Sequence, residues 1–392
     1  MSDLPERAPY RGGRGLLLGA LAVGAVGSAL TVVSFVVSPA AALHSYLIAV
    51  LFVLSLTLGL AGFLIIIHTM DATWPTVVRR LAEAGAAIVP LLALLFVPVL
   101  LAPDLVYPWA NPAAADPLVR KAIDHQHPYL NAPFFVGRAV FYFVLWSVVV
   151  VLLRRWSLAS DGGERASRAR LRALSAAAAP AMALTITAAV TDWIMSLAPG
   201  WVSSILGFYF IALSILGGVA TLVLVTIVAR GRGLLGGVNP SHQYALGRCL
   251  LAFLVLWAYA AFFQFFLIWM ADRPHEAPWF LDRMQGPFRL VSLFIVVGHF
   301  AIPFLALLSY EVKWRPRLLA GLAAWLLVAQ YVEVHWLIAP HRGSAPFRFG
   351  DLTALMAVGG LCLACALWLQ RGHPLAPVGD PRYPGALRYD SR

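Results

Sequence analysis

Two acids, Asp192 and Glu333, fall inside long apolar runs of the sequence. Ionisable groups at membrane depth are costly, so each is by default a functional candidate. Thr185, Asp192 and Ser196 stand at i, i+7 and i+11, one polar stripe on an otherwise apolar helix. Gln330 and Glu333 share a second face, with Tyr331 and His335 on the next, while Gln264 and His299 lie in the middle of their runs. Such groups can relay protons. They can also hold the two oxygens of a quinone ring across an apolar slot, with a carboxylate or imidazole taking the protons a quinol releases. The aromatic stretch Trp257-Ala-Tyr259-Ala-Ala-Phe262-Phe263-Gln264-Phe265-Phe266 is either the wall of such a slot or a lipid-facing surface. An architectural reading stands beside the chemical one. Arg138 and Arg289 precede Asp192 and Glu333 at matching depth near one end of their runs, so Arg138–Asp192 and Arg289–Glu333 can be buried ion pairs and nothing more.

Other chemistry is absent from the pattern. Cys362 and Cys365 have CxxC spacing, but no histidine follows and no second pair exists, so they read as packing. A haem held between spans would need facing histidines, and His299 and His335 are the only deep ones, so neither a haem nor a metal set is expected. His68, beside Asp71 at a helix end, reads as interfacial. No phosphate-loop, dinucleotide or nucleophile-elbow motif occurs.

The elements that position these residues follow from composition. Of 392 residues, 61% are hydrophobic and 12% charged, against about 25% charged in a soluble domain. Ten apolar runs, at about 15–37, 45–67, 84–102, 134–153, 175–197, 203–229, 247–270, 288–308, 317–338 and 351–370, are each long enough to span a bilayer. They are too long for barrel strands, so the fold class is all-α, a polytopic membrane protein with ten transmembrane helices. With both termini cytoplasmic, 21 of the 29 Lys and Arg residues fall on that side, as the positive-inside rule requires. The net charge of +11 therefore reflects topology, and nucleic acid is not an expected partner. The first run is longer than a leader's apolar core and reads as a retained span.

Spans 2–5 and 6–9 form two sets of four, each opening on a glycine-bearing helix (Gly59 and Gly62; Gly217 and Gly218). The division is 1–44, N-terminal tail and first span; 45–202 and 203–345, two four-helix bundles; and 346–392, last span and cytoplasmic tail. Spans 1 and 10 are peripheral. Segment 71–83 reads as an interfacial helix capped by Thr73, with Arg79, Arg80 and Glu83 on its polar face. Loop 154–174 reads as a solvated linker, loop 103–133 as a rigid, proline-rich outer loop, and the tail from 371 as an extended segment suited to docking on a partner.

Three stretches resemble a known family: Thr73-Trp-Pro-Thr-Val-Val-Arg-Arg-Leu-Ala-Glu83; Tyr129-Leu-Asn-Ala-Pro-Phe-Phe135 with Arg138; and Thr191-Asp-Trp-Ile-Met-Ser-Leu-Ala-Pro199 with Trp201. They resemble the second membrane subunit, often called ActF, of bacterial alternative complex III, within the NrfD/polysulfide-reductase membrane-anchor superfamily. The likeness covers about residues 45–345, and the Asp-Trp run is its most specific part. It implies a quinol:cytochrome c or oxidase oxidoreductase complex in a bacterial cytoplasmic membrane, serving an electron-transport chain, and two four-helix bundles. It implies as partners a larger NrfD-like paralogue, an iron–sulfur subunit, c-type haem subunits and a terminal oxidase. Haem c and iron–sulfur clusters would belong to those subunits, while this chain carries no cofactor beyond menaquinol or ubiquinol contact. Its own part would be an intramembrane polar site for proton conduction or quinone interaction, and a structural anchor. Two alternatives remain open at this point: the quinol-oxidising anchor of another NrfD-type reductase, and a secondary transporter built on the two repeats.

Overall fold

A computed structural model describes residues 9–114, 117–161, 165–271, 276–343 and 345–391. Among the described residues every regular element is helical, and ten helices are long and apolar enough to cross a membrane. We label them α1 (Arg14–Val37), α2 (Pro39–Thr69), α3 (Trp74–Leu101), α4 (Ala132–Ser160), α5 (Ser167–Leu197), α6 (Leu206–Gly231), α7 (Pro240–Ala271), α8 (Phe288–Leu308), α9 (Pro316–Arg342) and α10 (Phe349–Gln370).

Burial ranks the helices. α2 is apolar all round and largely enclosed by protein, the expected behaviour of a core helix, whereas α1 is mostly exposed. α2 touches α3 and α5, α3 touches α4, and α4 touches α5; α6 touches α7 and α9, and α8 touches α7 and α9. The two sets meet where α2 crosses α6. A Cβ at Gly59 would lie 1.7 Å from the Ser214 carbonyl oxygen, and one at Gly218 would lie 2.4 Å from the Gly59 carbonyl carbon. The glycines singled out in the sequence thus let two backbones touch, and small residues are what permit such approach between apolar helices. α1 packs on α10 by the same device, through Gly24, Gly27 and Gly360.

Both terminal segments lie at one end of the molecule, where Tyr10 N–H donates to His373 O (3.0 Å) and Gly372 N–H to Tyr10 O (3.1 Å). At this end the structure corrects four expectations. Segment 71–83 is not a surface helix. It is the first part of α3, where Thr73 makes no side-chain cap, and Arg79, Arg80 and Glu83 are each 1% exposed. Residues 154–174 are largely helix rather than linker, with Arg154 buried and donating to Leu369 O at 2.6 Å (162–164 lie outside the described residues). His68 is buried, not interfacial. The tail docks on its own chain. Asp380 pairs with Arg79 at 2.6 Å and with Arg382 at 3.0 Å, His242 Nε2 meets Ala386 O at 3.0 Å, and Tyr389 stacks on Trp74. One network explains the buried charges: Glu83, Asp161 and Asp380 meet Arg79 and Arg80, so charges that look like a wet face neutralise one another inside. Burial pushes the Asp161 carboxyl up despite both arginines, whereas Asp380, also opposed by burial, is held low by its hydrogen bonds to Arg382 and the charge of Arg79.

Candidate functional site

The far end of the bundle holds two acid-centred clusters of different construction. In the first, Asp192 on α5 is fully buried and clasped by Arg138 on α4. Arg138 Nε donates to Oδ2 and Nη2 to Oδ1, both at 2.8 Å, a bidentate fork that is among the stronger hydrogen-bonded pairings. Tyr142, one turn after Arg138, donates to Oδ2 at 3.0 Å. The guanidinium lies 3.9 Å from the Tyr129 ring centroid and 4.3 Å from that of Phe134. Thr185 and Ser196, the other members of the stripe, do not touch the carboxylate. Thr185 Oγ1 accepts from Trp146 Nε1 at 2.9 Å, and Ser196 donates to the Asp192 carbonyl while accepting from Trp109 Nε1. Trp193 closes the cage against Phe96, Phe143 and Trp146. Tyr107 in the outer loop donates to Trp193 O at 3.4 Å, and burial pushes its phenol well up, so it stays a donor. Arg138 and Tyr142, which reach the Asp192 carboxylate, are both spent on it.

The second cluster centres on Glu333 of α9, also fully buried. Oε1 accepts from the Tyr209 hydroxyl of α6 and from Trp257 Nε1 of α7 at 2.9 Å. Oε2 lies 2.5 Å from His299 Nδ1 of α8, and the imidazole stacks on Trp257 with centroids 4.1 Å apart. Among the described residues no arginine or lysine pairs with Glu333. Arg289, its expected partner, is exposed on the outside of the bundle. The matching-charge pattern holds for one half of the molecule and fails for the other.

His299 reaches Glu333 because α8 is not a regular helix there. Residues Ile295–Ala301 form a π-helical turn ahead of Pro303. Pro303 has no N–H to give, and the Gly298 carbonyl is taken instead by Trp325 Nε1 at 2.6 Å. Such wide turns re-aim side chains and recur at functional sites.

Beside Glu333 lies a cavity of about 690 Å³ between α7 and α8. Its walls are mostly aromatic and aliphatic, including Tyr259, Phe262, Phe265 and Phe300, and Glu333 and Trp257 stand at its inner side. Gln264 also lines it, buried, with Oε1 lacking a partner. Tyr259, Phe262 and Val296 belong both to the wall and to the exposed outer surface, so the cavity opens sideways, where acyl chains would be. The helix Ala277–Met284 closes one edge with Phe280 and Met284. Arg283 pins it: 1% exposed, it donates to Trp336 O and Leu337 O at the end of α9 and lies 3.5 Å from the Trp279 ring centroid. A cation at a helix C-terminus is favourably placed.

The remaining candidates scatter. Gln330 donates to Ser55 of α2 at 2.8 Å and lies against Gly217, where a Cβ would come within 2.0 Å. Tyr331 donates to Asp351 O at 3.1 Å. His335 is on the opposite side of α9 from the cavity cluster, 3.3 Å from Asp351 Oδ2, in a network completed by Arg342 and Ser45. Sequence reasoning missed Tyr209, Trp257 as a donor, Tyr142, Asp351, Arg342 and Arg283. Tyr142 was within reach, since it stands at i+4 from Arg138. Trp257 and Tyr209 carry no pattern that separates a donor from packing. Among the described residues no cluster of three His, Cys, Asp or Glu side chains could hold a metal ion.

No protein-family model matches the chain, and no curated protein matches it. The link to NrfD-type anchors therefore rests on the three sequence stretches. In the structure these stretches build the Asp192 cage and the buried charges of α3, not the Glu333 cavity.

Proposed function

We propose that this chain is an integral membrane subunit of a quinol oxidoreductase of the alternative complex III type, with its quinol-facing site at Glu333. The observation that carries this reading is an apolar cavity, open towards the lipid, that ends on a buried carboxyl whose Oε2 lies 2.5 Å from an imidazole nitrogen. A hydrophobic ligand with a polar ring enters from the bilayer without crossing water. Its ring rests among aromatic side chains, which suits offset stacking. Glu333 with His299 offers one pole and Gln264 the other. Trp257 and Gln264 lie seven residues apart on α7, about 10 Å along the axis, a length that a six-membered ring with a hydrogen bond at each oxygen fills. Glu333 and His299 share one proton between them, because a buried carboxylate with no cation beside it is costly. The pair can take a hydroxyl proton as the ring is oxidised when the proton it already shares is passed on, so that no net charge builds up in the buried site.

In this reading the electrons leave through haem and iron–sulfur groups of partner subunits, in a bacterial cytoplasmic membrane with both termini inside. The helix neighbours α2–α5 and α6–α9 act as two four-helix bundles: the first is the anchor, locked by Arg138–Asp192, and the second holds the chemistry. The test is Glu333→Gln in the assembled complex. Quinol turnover should fall at least tenfold with the subunit composition unchanged; wild-type turnover would refute the assignment.

A further inference from the structure

A second cavity, of about 480 Å³, opens at the far end of the bundle and shares no residue with the Glu333 site. Its lining brings together the start of α2 (Ser38, Ala40, His44), Asp104 of the outer loop, and Arg348 at the start of α10. Donors for an anion come from two directions. α2 begins without a side-chain cap, and Pro39 fills its first position, so the first-turn N–H groups of Ala40 and Ala41 have no partner within the helix. A helix N-terminus of this kind favours negative charge. The Arg348 guanidinium spends one nitrogen on the Arg342 carbonyl at 3.2 Å and pairs with no carboxylate among the described residues, while its backbone N–H donates to Asp351 Oδ2 at 2.8 Å; neighbouring Arg342 is already neutralised by Asp351.

Acceptors for a cation sit on the same wall. Asp104 is exposed at the rim. His44 is 6% exposed; its Nδ1 bonds the Ala40 carbonyl at 2.8 Å, and its Nε2 is buried with no partner. A ring that donates from Nδ1 to a carbonyl presents a bare lone pair at Nε2. That atom calls for a donor, and the cavity lined by His44 holds none already aimed at it.

We propose that this cavity binds a phosphoethanolamine-class group, its phosphate on Arg348 and the α2 N-terminus and its ammonium on Asp104 and His44 Nε2. The group can come from the headgroup of a membrane phospholipid or from a free small molecule. The assignment is independent of the Glu333 reading. The test is native mass spectrometry of the detergent-purified protein after exchange into equal amounts of phosphatidylethanolamine and phosphatidylglycerol, with calorimetric titration of free phosphoethanolamine as a second arm. Phosphatidylethanolamine should be retained about tenfold over phosphatidylglycerol. Asp104→Asn, at an exposed position the fold tolerates, should abolish that preference, and Arg348→Gln should weaken both lipids. Binding of free phosphoethanolamine assigns the site to the headgroup alone, and retention of the lipid only assigns it to the membrane. Equal retention of the two lipids with no response to Asp104→Asn, or no binding in either arm, overturns the proposal.

Discussion

The molecule buries two carboxyls at similar depth and treats them in opposite ways. Asp192 is met by a guanidinium fork, a tyrosine and a shell of tryptophans, with both carboxylate oxygens engaged. Glu333 is met by a hydroxyl, an indole and an imidazole, with an open cavity beside it. A carboxylate held by a permanent cation is a clamp. A carboxyl held by a group that can itself gain or lose a proton is a place for chemistry. An intramembrane acid therefore says little until its partner is known.

The comparison breaks most visibly at Asp192. Asp192→Ala leaves the Arg138 guanidinium without its carboxylate, and removing one partner of a buried pair costs about 3–5 kcal/mol. Thermal unfolding of the purified protein should show a large drop, with loss of folded yield, and an Asp192→Ala protein as stable as wild type would remove the clamp from the account. Glu333→Gln should reverse that profile, with unfolding close to wild type and turnover down at least tenfold. Gln264→Leu keeps the cavity apolar and deletes one pole. It should raise the KM for quinol severalfold with kcat little changed, the signature of lost ground-state binding.

Most of the fold was legible before any coordinates. Ten apolar runs gave ten spans because length and hydropathy are the dominant requirements of a bilayer, whereas Gly59 and Gly218 stand out in the sequence only as markers of a repeat, and the structure shows them at a contact where small residues let backbones meet. Depth along the runs leaves the pairing of Arg138 with Asp192 open, and in the structure the two do meet. The same reasoning failed for Arg289, because depth fixes height along the bundle but not the direction in which a side chain points. His299 stands out in the sequence as a mid-span polar residue, but its approach to Glu333 depends on a π-turn that the sequence marks only by Pro303. The cavity was not legible at all, since an aromatic stretch on α7 reads alike as lipid surface and as wall, and here Tyr259 and Phe262 are both. The charges of α3 and the tail misled for a related reason. Arg79, Arg80 and Glu83 look solvated until Asp161 and Asp380 arrive from distant parts of the chain.

Two smaller effects sharpen the comparison. The Asp380 carboxyl is held below the ordinary carboxylate range, so its pairing supports tail docking at neutral pH and loses that support as pH falls through the lowered folded value. Asp380→Asn should mimic the acid condition and expose the tail beyond Arg371 to limited proteolysis at pH 7, with the Glu333 site unaffected. Arg289→Ala should change neither stability nor turnover measurably, because the exposed guanidinium is not Glu333's partner. A strong effect there would restore the second ion pair.

The most direct test of the central claim is photolabelling of the protein in its membrane with a short-chain azidoquinone, followed by peptide mapping. Label should fall on residues 255–265 of α7 and 292–304 of α8, be displaced by excess quinol, and drop in Glu333→Gln but not in Arg289→Ala. Label concentrated around Asp192 and Arg138, or none that quinol displaces, would contradict it.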